Sequence, residues 1–159
     1  MTTFSQRASV IAAGAYLVLG LAGGLLFREV TKSAGFPESS VSQLGVLHTH
    51  LLTLGFLFFL IVLVLDRVFG LGRDRLFALF FWIYNAGLIL TTGTMAVHGT
   101  MTVLGQQSGA AISGIAGMGH IVLTVALLIL MVALGRTVWA SSTRRSTTDA
   151  AAPALESAE

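Results

Sequence analysis

The chain is 159 residues long, 55% hydrophobic and only 10% charged, with a formal net charge of +2 at pH 7 and no cysteine. A soluble domain carries about 25% charged residues, so this composition excludes a water-soluble fold and specifies an integral membrane protein. Lack of cysteine removes disulfides, thiolate metal sites and cysteine-ligated iron–sulfur clusters, and the arginine excess of a membrane protein reports orientation, not nucleic-acid binding.

A hydrocarbon core of about 30 Å needs roughly 20 apolar residues as helix, and charged residues divide the chain into four such runs. Residues 1–8 are a short N-terminal segment. The first span covers residues 9–29, between Arg7 and the pair Arg28–Glu29; with no clear small-residue cleavage site, it reads as an uncleaved helix and not a signal peptide. Thr31–Gln43, with Gly35, Pro37 and serines 33, 39, 40 and 42, is a loop. The second span, residues 45–65, ends at Asp66–Arg67, and the third, residues 76–104, starts after Arg75. Uncharged Gln106–Gln107–Ser108–Gly109 leads to the fourth, residues 110–138, with Trp139 as interfacial anchor. Residues 9–139 thus form one transmembrane domain, and residues 140–159, polar, alanine-rich and containing Pro153, a disordered tail. Only helices or closed barrels satisfy the backbone in lipid, and these runs lack strand alternation. The expected fold is all-α, a four-helix bundle in the membrane.

Arg7, Arg67, Arg73, Arg75, Arg136, Arg144 and Arg145 fall on one side of this topology, and only Arg28 and Lys32 on the other. The positive-inside rule puts both termini in the cytoplasm, in a multi-pass protein of the bacterial plasma membrane.

The chain has four histidines, and the topology brings all four near the outer face. About 20 residues counted from each cytoplasmic marker put His48 and His50 just inside the outer edge, His98 just beyond it and His120 four residues inside. The set spans on the order of 10 Å in depth. Ionisable residues in a bilayer are costly and mark functional sites, so His48, His50, His98 and His120 are the expected ligands of a cofactor or metal, with a proton-handling or quinone-contacting role as another use of titratable imidazoles. His48 and His50 are roughly 200° apart on a helix and point to opposite faces.

Haem b is the first cofactor expected, because helical bundles hold cofactors between facing helices and histidine is the usual axial ligand. Gly93, Gly99, Gly114, Gly117 and Gly119 supply room beside the histidines, as do Gly20, Gly23 and Gly24, although Gly20-x-x-x-Gly24 is also a helix-packing motif. Arg28 and Lys32 would meet propionates or form an interfacial pair with Glu29. Copper is second: Met95, His98 and Met101 recur at i, i+3 and i+6, and imidazole with thioether suits Cu(I). Mid-span Tyr16, Tyr84, Asn85 and the threonines 91, 92 and 94 read as interhelical hydrogen-bond glue. The cytoplasmic half carries no intramembrane acid or base, which argues against an ion-coupled transporter.

Two resemblances rest on these residues. The layout Ala15-Tyr16-Leu17-Val18-Leu19-Gly20-Leu21-Ala22-Gly23-Gly24, Phe27-Arg28-Glu29, Val46-Leu47-His48-Thr49-His50-Leu51 and Leu54-Gly55-Phe56 resembles an uncharacterised bacterial family of small four-helix membrane proteins, known as a domain of unknown function, over residues 10–138. Locally, His48-x-His50 with Leu51, Leu52 and Gly55 is similar to the helix of haem–copper oxidase catalytic subunits that ligates both haems. That likeness implies His48 and His50 as axial ligands of two haems, opposed by His98 and His120. The chain lacks the oxidases' copper-binding histidine trio and their histidine–tyrosine pair, so the likeness implies haem ligation and not oxygen reduction.

The expected function is haem b binding for electron transfer, or for sensing or handling nitric oxide or oxygen. A copper-binding or delivery protein using His98, His120, Met95 and Met101 is one alternative; a small structural subunit of a respiratory complex is another. No catalytic residue is assigned. A homodimer through Gly20 and Gly24, or a respiratory-chain partner, would complete so thin a bundle.

Overall fold

A computed structural model describes residues 4–107 and 109–156, with side chains as far as residue 140. The described residues form helices joined by short connections: α1 (Phe4–Ala34), α2 (Gln43–His50), a π-helical segment (Leu51–Leu57), α3 (Phe58–Phe69), a 3₁₀ turn (Leu71–Arg73), α4 (Arg75–Val103) and α5 (Ala110–Glu156). α2, the π segment and α3 make one continuous rod. Four helices among the described residues are long and apolar enough to cross a membrane: Phe4–Ala34, Gln43–Phe69, Arg75–Val103 and Ala110–Ala140. Each matches one expected span; α1 runs five residues past both limits of its span and α3 four past the end of the second, where glycine caps and not charge end them, while α4 and the start of α5 agree with the expected limits to within one residue.

α1 closes on Gly35 at φ 61°. The Phe36 amide returns to the Thr31 carbonyl (3.0 Å) and the Gly35 amide to Lys32 (3.3 Å), a Schellman cap. α3 stops at Gly70, φ 70°, whose amide bonds the Asp66 carbonyl. α4 begins at Asp74, whose carboxylate accepts from the Leu76 amide at 3.0 Å; the same carboxylate lies 3.4 Å from Nε of Arg136 on α5. α2 begins at Ser42, which accepts from the Leu44 amide and donates to the Gly99 carbonyl of α4 at 2.8 Å. Residues 140–159, expected to be disordered, continue α5 as helix to Glu156; alanine, the best helix former, recurs at residues 150–152 and 154.

α1 packs along the second span through its glycine face, where a Cβ on Gly20 would lie 2.7 Å from the Leu52 side chain and one on Gly24 3.9 Å from His48. That face is therefore internal. The expected Gly20–Gly24 dimer contact is corrected accordingly: the small residues are used to bring α1 onto the second span.

The core lies between α1, the second span and α4. Tyr16 stacks on Phe59, Phe58 on Tyr84, and Phe77, Phe80 and Phe81 complete an aromatic cluster. Trp82 is exposed, on the lipid side. As expected of Tyr16 and Asn85, the Tyr16 hydroxyl donates to Asn85 Oδ1 at 2.8 Å and so joins α1 to α4. The threonines are not interhelical: Thr92 and Thr94 bond the Leu88 and Leu90 carbonyls of their own helix, and Thr91 Oγ1 has no hydrogen-bond partner among the described residues.

α5 lies against α4, and among the described residues no Cα of α1 comes within 8 Å of an α5 Cα. It meets the second span at α3, and no Cα of α2 or of the π segment comes within 8 Å of an α5 Cα. Among the described residues the second span and α5 approach each other at α3, and they stand further apart at the end that carries the histidines.

Candidate functional site

The π segment follows directly on His50. Such wide turns are rare and concentrate at functional sites. Here two tyrosines hold it. A Cβ on Gly55 would overlap the Tyr16 side chain, and the Tyr84 hydroxyl donates to the Leu54 carbonyl at 2.8 Å. The histidine pair thus sits at the last regular turn above a segment fixed from both α1 and α4.

The two members of the pair separate as their angular offset requires. Leu47, His48, Leu51 and Leu52 form the α1-facing side of the span. His48 Nδ1 is buried with no hydrogen-bond partner, and its Nε2 lies 3.4 Å from Thr49 Oγ1. His50 is turned away from α1, on a side where Val46 and Thr53 are exposed. Its Nδ1 lies 2.9 Å from the Val46 carbonyl.

α5 repeats this geometry. Gly119 packs on Thr91 so closely that a Cβ would overlap the threonine hydroxyl, and Leu123 packs on Gly87. His120, one residue past this contact line, is rotated by about 100° from it and is exposed. Helix handedness puts that rotation on the side of the second span. His120 Nδ1 lies 2.9 Å from the Ala116 carbonyl. A carbonyl only accepts, so Nδ1 of both His50 and His120 is the donor, and in the neutral imidazole this leaves the Nε2 lone pair for a ligand.

Depth follows from the packing contacts. Leu44 packs on Gly99, so His50, six residues further on, is level with about residue 93 of α4; Gly119 on Thr91 makes His120 level with about residue 90. The two imidazoles differ in depth by roughly 5 Å at 1.5 Å per residue. They flank the open cleft, and α4 forms its back wall, where Met95 lies on the face between the second span and α5 and is buried.

His98 is half-buried toward the C-terminal end of α4, on the face it shares with Thr91, and its carbonyl accepts from Thr102 Oγ1 at 3.0 Å. Met101 is half-buried one turn further out. The four histidines therefore share a layer but not a centre: His50 and His120 flank the cleft, His98 lies near its mouth, and His48 faces α1. Among the described residues no three histidine or acidic side chains are grouped to hold a metal ion. Arg28 pairs with Glu29 at 3.8 Å, both exposed.

Sequence reasoning missed the π segment, which has no signature of its own in Leu51–Leu57. It also took Asp66 only as a membrane-edge marker. Asp66 is 4% exposed, accepts from Ser5 Oγ at 2.6 Å and from the Gly72 amide at 2.6 Å, and ties the start of α1 to the turn after α3.

The chain belongs to the family described as a protein of unknown function, DUF2871, whose profile matches residues 6–137. No curated protein and no solved structure matches it.

Proposed function

We propose that this member of the family binds haem b in the cleft between the second span and α5, with His50 and His120 as axial ligands, and serves electron transfer or the handling of a small gas. The observation that carries this reading is shared by the two residues: each imidazole donates Nδ1–H to the carbonyl four residues earlier (2.9 Å in both), which fixes the ring and leaves Nε2 free. Ligating histidines are oriented by such a bond, which also raises their basicity. A macrocycle ligated from both sides requires the two helices to stand further apart here than at α3, where their Cα atoms come within 8 Å.

Two imidazoles favour electron transfer; one ligand with an open position favours nitric oxide or oxygen. His98, near the mouth, would be the polar group met first by a gas or a redox partner. His48 is not a ligand in this reading, since it faces α1, and here the chain departs from the two-haem pattern of the oxidase helix. The setting is the bacterial plasma membrane with both termini cytoplasmic, and a respiratory-chain partner or a second copy completes the electron path.

The test is an optical spectrum of detergent-purified protein, expressed with haem supplied, before and after dithionite, with metal analysis on the same sample. Sharp reduced α and β bands that disappear in His50→Ala and His120→Ala but persist in His48→Ala are expected. A broad spectrum shifted by carbon monoxide would select gas handling. Stoichiometric copper without haem would replace this reading with a site built on His98, His120, Met95 and Met101; neither cofactor would leave the histidines as a structural or proton-handling cluster.

A further inference from the structure

At the end of the bundle opposite the histidines, the turn after α3 and the far part of α5 enclose a cleft of about 500 Å³. Arg73 closes that turn, Arg75 opens α4 and Arg136 stands on α5, and all three line the cleft. Arg136 lies far from the other two in the chain, so the fold brings the three together. We infer that this cleft seats the phosphate of an anionic phospholipid headgroup among the three guanidiniums.

The acids nearby do not cancel this charge. Asp74 is the one acidic residue in the lining. Its Oδ1 accepts from the Leu76 amide at 3.0 Å and its Oδ2 lies 3.4 Å from Arg136 Nε, so both oxygens are engaged from within the protein. The Asp74 side chain is 10% exposed and that of Arg136 64%. The carboxylate therefore lies at the floor and holds Arg136 by its Nε edge, which leaves the Nη donors for a ligand. Arg73 and Arg75 are exposed and form no ion pair among the described residues. Asp66 counts against the cleft too, since it accepts from the Gly72 amide beside Arg73. Three guanidiniums then face two carboxylates, and the carboxylates are the groups sunk in the fold.

Depth selects the source of the phosphate. Trp139 is 75% exposed, next to Ala140 in the cleft lining, and an exposed tryptophan at the end of a span marks the membrane interface. Leu76, also in the lining, begins the apolar run of α4. The cleft thus stands at headgroup level, where basic pockets between membrane helices take anionic lipids. Arginine binds phosphate there through paired N–H donors.

The experiment is native mass spectrometry of the full chain released from micelles containing equal phosphatidylglycerol and phosphatidylcholine. The wild type is expected to retain phosphatidylglycerol in preference. Arg73→Gln with Arg75→Gln should lower the ratio of the two lipids by about fivefold for each arginine removed, with helicity and melting temperature unchanged. Arg136 is left in place so that its tie to Asp74 survives. Arg28→Gln, which removes a positive charge already paired with Glu29, should leave the ratio unchanged. Ala140→Trp narrows the cleft and spares every charge; it should lower retention of phosphatidylglycerol, to which a diffuse field without a seat would be indifferent. The inference is overturned if the wild type shows no preference, if the Arg73 and Arg75 variant keeps it, if Arg28→Gln lowers it as much, or if Ala140→Trp changes nothing. It is overturned as well if glycerol phosphate competes as well as the lipid, which would assign the seat to a soluble phosphate.

Discussion

The Tyr84 hydroxyl of α4 donates to the Leu54 carbonyl at 2.8 Å, inside the π segment that follows His50. A π turn is wider than an α turn, and in lipid each carbonyl needs a partner within the protein. Tyr84, buried and stacked on Phe58 at 4.3 Å, is held in place to supply one. Tyr84→Phe should lower stability by about 1 kcal/mol, in the range for interhelical hydrogen bonds in membranes. Denaturant unfolding in detergent measures this.

Gly55 makes the opposite test of the same segment. Its missing Cβ is where the Tyr16 side chain lies, so Gly55→Ala forces Tyr16 out of its stack on Phe59. A loss of about 1–3 kcal/mol is expected, as for overpacked cores. Gly14→Ala on the same α1 meets nothing within 4 Å and should be neutral or stabilising by up to about 1 kcal/mol. Equal effects from the two would contradict the packing.

Gly119 governs where His120 stands. With Thr91 occupying the space of its Cβ, Gly119→Ala must push α5 away from α4 and shift the imidazole beside it. Under the haem reading the expected result is lower cofactor content or a changed reduced spectrum, while Gly117→Ala, with open space around it, preserves both. Identical spectra for the two variants would detach Gly119 from the site.

Asp66 should be the most sensitive charged position in the described chain. Asp66→Asn weakens two hydrogen bonds to a buried carboxylate, from Ser5 and from the Gly72 amide; about 2 kcal/mol of stability depends on them. Ser5→Ala removes one and should cost about half as much. Thermal unfolding of both variants checks the order.

Depth was legible in the sequence and azimuth only in part. A fixed rise per residue, counted from Asp66, Arg75 and Arg136, was enough to bring the histidines to one layer, and 100° per residue was enough to set His48 and His50 on opposite faces. Which face meets which helix depends on pairings such as Gly24 with His48 and Gly119 with Thr91, and no periodicity records those. The π segment was invisible for the same reason: Leu51–Leu57 contains no proline, and the wide turn is sustained by Tyr16 and Tyr84 from other helices. Asp66 looked like a solvated end of span because its partners are 61 residues before it and six after it.

The open cleft has a consequence for biogenesis. α5 is synthesised after the other three spans, and it lies against α4 with no Cα within 8 Å of an α1 Cα among the described residues. Before α5 is made, His50 stands on a rod whose packing partners α1 and α4 precede α5 in the chain, and His120 is not yet beside it. Under the haem reading, a hydrophobic cofactor moving laterally in the membrane would find one ligand waiting and the second arriving like a closing door. Loading would then be a step of insertion, and a chain truncated after Leu104 should have only half a seat to offer.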